Sequence, residues 1–391
     1  MFTKKFWFML LTLVLVFTAV QPAAAAPRLA PILNADSPTA VADQYIVIFD
    51  PATKAADIDL AIGVAGKSPN VTVQYRYSSA VLGFAATLPA NAVEALRRNP
   101  NVAYIEANQV ITIDATQSPA TWGIDRIDQR ALPLSNSYTY NYTGAGVRAY
   151  IIDTGILFSH NQFGGRATFG FDAFGGNGTD CNGHGTHVAG TVGGSTYGVA
   201  KGVSLVAVRV LDCAGSGTTA GVIAGVDWVT SHAVDPAVAN MSLGGAKSTT
   251  LDAAVTNSIN SGVTYAVAAG NSNRDACNFS PARVSAAITV GATTNTDARA
   301  SYSNYGKCLD LFAPGSSITS SWYTSTTATN TISGTSMATP HVAGVAALYL
   351  QAHPTATPAA VRTAMVGGAT SGVVINAGRS SPNYLLYSLL P

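Results

Sequence analysis

The chain has 391 residues, with 21 basic and 20 acidic side chains and a formal net charge of +1. Only 10% of residues are charged while 48% are hydrophobic, which excludes a nucleic-acid binder held by a basic face and a disordered polyelectrolyte. At roughly 100–200 residues per domain the length suggests two or three domains, with enough apolar sequence to bury a large core.

In chain order, Lys4 and Lys5 precede an apolar run from Phe6 to about Val20, then Gln21-Pro22 and the alanines Ala23 to Ala26. A basic start, a short apolar stretch and small residues describe a secretory signal peptide over 1–26, cut before Pro27. The run falls short of the roughly 18–20 residues that span a bilayer. No later segment is long and apolar enough to span, so the expectation is a secreted, extracellular protein with no membrane association after signal removal. Export also permits disulfides.

Residues 27–42, rich in Pro, Ala and small polar residues, read as a linker. From Asp43 the pattern is strand (45–49), helix (55–63), strand (71–75), strand (82–88), helix (91–98) and strand (102–106). The second helix starts on Asn91 as a cap and stops at Asn99-Pro100. This order predicts a small ferredoxin-like α+β domain over 43–114. From about Ala115 short β-branched runs at 147–152, 205–210, 238–241, 263–267 and 288–290 alternate with helical patterns at 185–192, 219–231, 250–260, 335–351 and 358–365. Uninterrupted apolar strands alternating with helices predict an α/β domain over 115–391, a parallel sheet with helices on both faces. Working residues of such a sheet collect at the carboxyl ends of its strands.

Three segments carry chemistry. Val147 to Ile152 is an apolar strand that ends on Asp153, followed by Thr154-Gly155. In Asn182-Gly183-His184-Gly185-Thr186-His187 a histidine flanked by glycines opens a helix, and small neighbours leave the imidazole accessible. His184 and His187, at i and i+3, could also hold a metal on one face, but no carboxylate or Cys stands at zinc spacing around them. In Gly334-Thr335-Ser336-Met337-Ala338-Thr339-Pro340 small residues lead into an apolar helix. There a serine hydroxyl is reachable, and free N–H groups face a developing anion. A serine needs a base to take its proton, an imidazole titrates near neutrality, and a carboxylate orients the ring. The chain order Asp, His, Ser is that of subtilisin and differs from chymotrypsin and the α/β-hydrolases. A nucleotide site at Gly144-Ala145-Gly146 is disfavoured because that loop precedes its strand.

Asp-Thr-Gly at 153–155, His-Gly-Thr-His at 184–187 and Gly-Thr-Ser-Met-Ala-Thr-Pro at 334–340 together resemble the three signatures of the subtilisin-like serine proteases. The resemblance covers about 115–391 and is strongest to the proteinase K branch, and within it to aqualysin. It implies a broad-specificity endopeptidase acting on protein and peptide substrates, monomeric, with no nucleic-acid partner and no catalytic cofactor. In that reading Ser336 is the nucleophile, His184 the base and Asp153 its orienting carboxylate. The oxyanion donors are the Asn271 side chain and the Ser336 N–H. Substrate would add as a strand between Gly215-Ser216-Gly217 and Ser242-Leu243-Gly244. Ala268, Ala269 and Gly270 would wall a roomy apolar pocket. Residues 43–114 resemble the family's inhibitory propeptide, whose tail near Ile111–Asp114 would lie in the cleft until self-cleavage near Asp114–Ala115.

Four cysteines allow three pairings; the resemblance implies Cys181–Cys213 and Cys277–Cys308. It also implies one or two structural calcium sites. One has the Asp310 carboxylate with the carbonyls of Ser285 and Ala287; the other has Asp125, Asp128, Gln129, Ser135 and Ser137.

Overall fold

In a computed structural model, residues 28–37, 40–109 and 115–390 are described; the expected signal peptide and the 111–114 tail lie outside them. The chain divides into two compact units, Met1–Ile111 and Thr112–Pro391.

In the first unit, strands Ala40–Phe49, Thr72–Tyr77, Gly83–Thr87 and Val102–Gln109 alternate with helices Ala55–Ala65 and Ala90–Arg97. Val102–Gln109 pairs antiparallel with Ala40–Phe49, which pairs with Gly83–Thr87, which pairs with Thr72–Tyr77. This is the expected ferredoxin-like order. One sheet face buries Val47, Phe49, Phe84 and Ile105 against Ile58, Ala61, Val93 and Leu96 of the helices. Two local readings are corrected. The second helix is capped by Pro89 with no side-chain cap bond, and Asn91 lies inside it, donating to Ser68 Oγ. The segment read as a linker is partly structured: Ile32–Leu33 pairs parallel with Ile105–Glu106, and Ala30 is buried, exchanging hydrogen bonds with Arg97.

The second unit is built on a nine-stranded sheet. From the third strand to the far edge it runs Leu311–Pro314, Ile288–Thr293, Thr264–Ala268, Ala237–Met241, Arg148–Asp153, Ser204–Arg209 and Ala167–Asp172, with every neighbour parallel. Successive side chains of a strand point to opposite faces. Ala149 and Ile151 accordingly pack with Val188, Val192, Val342 and Val345 of helices His184–Gly193 and Thr335–Ala352. Tyr150 and Ile152 pack with Val222, Val226 and Val255 of helices Thr219–His232 and Thr249–Asn260 on the other side. Strands Ala167–Asp172 and Leu311–Pro314 carry no clear pattern in the sequence. The first alternates irregularly around Gly170, and the second is cut short by Pro314.

Two buried histidines lie in helices His184–Gly193 and Thr335–Ala352. His187 donates from Nε2 to the Ile318 carbonyl (3.0 Å), leaving Nδ1 unbonded, and His341 donates from Nδ1 to the Met337 carbonyl (2.8 Å). Burial disfavours their charged forms and pushes both pKa values down from 6.5 to about 4. Between those values the unfolded chain binds more protons, so stability is fully present above pH 6.5 and falls as the pH drops toward 4. The loss is on the order of 3 kcal/mol for each ring. Denaturant unfolding followed across pH should show this acid limb, and His341→Gln, which leaves only the His187 ring, should roughly halve it. A stability constant from pH 7 to 4 would exclude these rings as its source.

Candidate active site

The carboxyl edge of the sheet gathers the three segments. Asp153 ends strand Arg148–Asp153 and is fully buried. His184 is the first residue of helix His184–Gly193, after Gly183 at φ +109°, a backbone conformation that favours glycine. Gly185 lets the helix approach the Asp153 turn, since a Cβ there would stand 2.2 Å from the Gly155 carbonyl oxygen. The His184 ring is thereby held with Nδ1 donating to Asp153 Oδ1 at 2.7 Å, which leaves Nε2 as the acceptor nitrogen. The same oxygen accepts the Thr154 N–H at 2.8 Å. Burial opposes a charge on His184, but the attraction of Asp153 and its hydrogen bond, with a smaller contribution from Asp180, outweigh it and raise the ring's pKa above 6.5.

Ser336 stands in the first turn of helix Thr335–Ala352, where N–H groups lack helical acceptors. Its hydroxyl donates to the Ser242 carbonyl at 3.0 Å, and no hydrogen bond joins it to the His184 ring. Pro340 has no N–H to give the carbonyl four residues earlier, which is that of Ser336. The Ser242 hydroxyl takes this place, donating to the Ser336 carbonyl at 2.8 Å. Asn271, just after strand Thr264–Ala268, accepts at Oδ1 from the Thr335 N–H (2.8 Å) and hydroxyl (2.9 Å). That double bond orients the amide and leaves its NH2 with no hydrogen bond to the protein. Gly270 N–H closes the group by donating to the Thr335 hydroxyl.

Gly215, Ser216, Gly217, Ser242, Leu243 and Gly244 line a cleft of about 760 Å³ with His184. A pocket of about 280 Å³ beside it is walled by Leu243, Gly244, Ala268, Ala269 and Gly270 and opens at Asn271 and Ser336; no charged side chain lines it. Cys181 is bonded to Cys213 and Cys277 to Cys308. The first bond ties the approach to His184 onto the cleft-lining loop, and Asn182 Nδ2 donates to the Cys213 carbonyl alongside it. In the chain-entropy model loops of this length contribute about 3–4 kcal/mol each.

The two expected cation sites differ. Ser135 holds the first cluster together: its N–H and hydroxyl donate to Asp125 Oδ1, its N–H also to Gln129 Oε1, and its hydroxyl meets that of Ser137. Asp128 beside it has a buried Oδ1 with no partner. Burial, reinforced by the Asp125 charge, pushes its pKa up to about 6 against the pull of the Thr139 N–H. Asp310, by contrast, is satisfied on both oxygens: Oδ2 accepts the Thr289 N–H and Oδ1 the Arg362 guanidinium. Its charge is balanced within the protein, and Arg362 shares a cavity with Ser285. Ala287 is buried nearby in the sequence, its N–H donating to the Val284 carbonyl.

Sequence reasoning did not single out Asp180, Thr154 or Thr335. The available signal was positional: Asp180 and Thr186 bracket the start of a helix, the pattern of a capping cluster.

Residues 144–383 match the subtilase family and residues 44–114 the peptidase inhibitor I9 family. The chain is 58% identical over 402 aligned residues, covering 98% of both sequences, to an extracellular serine proteinase of Thermus sp. strain Rt41A. It is 50% identical to alkaline serine exoprotease A of Vibrio alginolyticus, over 92% of this chain and 70% of that protein. The crystal structure of a cold-adapted subtilisin-like serine proteinase superposes with a TM-score of 0.68 at 59% identity, covering 70% of this chain and 99% of that one.

Proposed function

The chain belongs to the subtilase family, and from that membership we propose that Asp153, His184 and Ser336 are its catalytic triad. The protein is an extracellular subtilisin-like serine protease with an inhibitory propeptide. Within the family we place it in the proteinase K branch, nearest aqualysin, on its signature segments and the positions of its four cysteines. The observation that supports the triad most is the part-buried hydrogen bond between Asp153, at its strand end, and His184, at its helix start.

In this reading Ser336 turns its hydroxyl from the Ser242 carbonyl to His184 Nε2 and attacks the peptide carbonyl while the ring takes its proton. The imidazolium, stabilised by Asp153, then protonates the leaving amine, and water releases the acyl group by the reverse proton path. The Asn271 amide and the Ser336 N–H receive the oxyanion. The uncharged pocket at Ala268–Gly270 suits apolar side chains and imposes little selection, hence broad specificity. Residues 44–114 act as an intramolecular inhibitor that the enzyme removes by cutting near Asp114–Ala115.

Calcium is proposed at the Asp125–Asp128 cluster. Carboxylate, amide, hydroxyl and carbonyl oxygens suit a hard cation, and the unpartnered Asp128 oxygen marks a place for positive charge. When bound, calcium would neutralise these carboxylates and tie the segments that carry them. At Asp310, Ser285 and Ala287 it would have to displace Arg362, so those residues do not fit calcium as they stand.

A fluorophosphonate probe should label the mature enzyme at Ser336; a Ser336→Ala chain should take no label and remain uncut. Labelling elsewhere, or normal maturation of that chain on its own, would remove the triad assignment. Asn271→Ala should lower kcat with little change in KM, by about 2.7–4 kcal/mol of barrier, a range known from subtilisin itself; equal turnover would exclude the amide. Millimolar calcium should raise Tm, the gain reaching about 2.7 kcal/mol at 100 times Kd, and Asp128→Asn should abolish the response. A melting temperature indifferent to chelator would count against the site.

A further inference from the structure

Asp180 is a buried carboxylate that joins both halves of the proposed Asp153–His184 pair. It is only 4% exposed. Its Oδ1 accepts the Thr154 hydroxyl, the Asn182 N–H and the Gly183 N–H, each at 2.9 Å. Its Oδ2 accepts the Thr186 N–H at 2.9 Å and the Thr186 hydroxyl at 2.6 Å. The Thr154 hydroxyl accepts in turn the Gly185 N–H at 2.8 Å. Thr154 adjoins Asp153; Asn182, Gly183, Gly185 and Thr186 surround His184. The donors reaching Asp180 therefore come from the end of one strand and from the first turn of one helix.

We propose that Asp180, acting through Thr154, is a positioning residue for the reaction: it locks the His184 helix start onto the Asp153 strand end and so sets the ring against its carboxylate. The inference rests on the assignment of Asp153 and His184 to the triad. The reason is geometric. Asp153 reaches His184 through one hydrogen bond from a ring that can rotate about two side-chain bonds. The separation and tilt of the two backbones must then be held by something else, and an acceptor-only group can collect several donors at once. A positioning error of 1 Å costs on the order of 10²-fold in rate. Asp180 also lies close enough for its charge to favour the protonated ring. The charged or titratable groups facing His184 are Asp153 and Asp180, with His187 one helical turn behind it.

The test uses Asp180→Asn, Thr154→Val and Thr154→Ser in the full chain, with Ser336→Ala as reference, following kcat, KM and the pH profile of kcat/KM on a short peptide anilide. Asp180→Asn should lower kcat by roughly 10²-fold with KM within a few-fold, and move the acid limb to lower pH because one charge facing His184 is gone. Thr154→Val should lower kcat while leaving the limb near its native place, since Asp180 keeps its charge. Thr154→Ser, which restores the hydroxyl, should recover most of that loss. If Asp180→Asn does not fold, the two Thr154 variants decide: equal kcat in Thr154→Val and the native chain, or no recovery in Thr154→Ser, overturns the proposal. A folded Asp180→Asn with native kcat and acid limb also overturns it. If Ser336→Ala hydrolyses the anilide at the native rate, the triad assignment fails and this inference falls with it, whereas an inactive Ser336→Ala beside native-like Thr154 variants sinks the positioning role alone.

Discussion

The contact between the Asp153 carboxylate and the His184 ring constrains everything around it. A carboxylate with no exposed surface loses its hydration, and the protein returns only part of that through His184 Nδ1–H and the Thr154 N–H. The second oxygen has no protein donor. Such a group is tolerable only at the end of a central strand, where the backbone can be turned toward a helix start and the imidazole brought within 2.7 Å. The sheet supplies that place, and the approach of the helix is possible because residue 185 has no Cβ.

The serine side of the site follows the same economy of backbone groups. Pro340 breaks the helical ladder one turn after Ser336, and the freed carbonyl is taken by Ser242. The strand end that lines the cleft is thus bonded to the helix carrying the hydroxyl. Thr335 does the same for Asn271, a residue lining the pocket, holding the amide by its oxygen and leaving its NH2 without a protein partner. Asn271 and His184 each have one atom bonded to the framework and one without a protein partner, and those free atoms face the chemistry proposed for them.

Elsewhere in the second unit buried charge is compensated locally. Arg126, fully buried, donates from two nitrogens to the two oxygens of Asp297, at 2.7 and 3.0 Å, a geometry that suits a guanidinium. Arg362 balances Asp310, and Arg209 approaches Asp172. Asp125 and Asp128 are the contrast: two neighbouring carboxylates held by hydroxyl and N–H donors, with no basic side chain among their hydrogen-bond partners. The different treatment of Asp310 and Asp128 separates a carboxylate whose charge is balanced within the protein from one that keeps a buried oxygen without a partner.

Much of the site was legible in the sequence because its demands are local. An apolar run ending in Asp, a histidine between glycines, and a serine among small residues before an apolar helix each describe what the nearby backbone must do. Period-two and helical patterning likewise located most central strands and the five longer helices of the second unit. The strand at Ala167–Asp172 escaped because an edge strand need not be apolar on both faces, and Ile32–Leu33 because two residues acquire strand character only by pairing with Ile105–Glu106. The Ser336 hydroxyl resting on Ser242, Arg362 seated on Asp310, and the donors converging on Asp180 join positions 94, 52 and up to 26 residues apart. What the sequence determined by itself was the chemistry on offer and the local conformation of each piece, since these depend on neighbouring residues. Only the tertiary structure decided which atom meets which, because partners distant along the chain are chosen by the packing of the sheet and its helices.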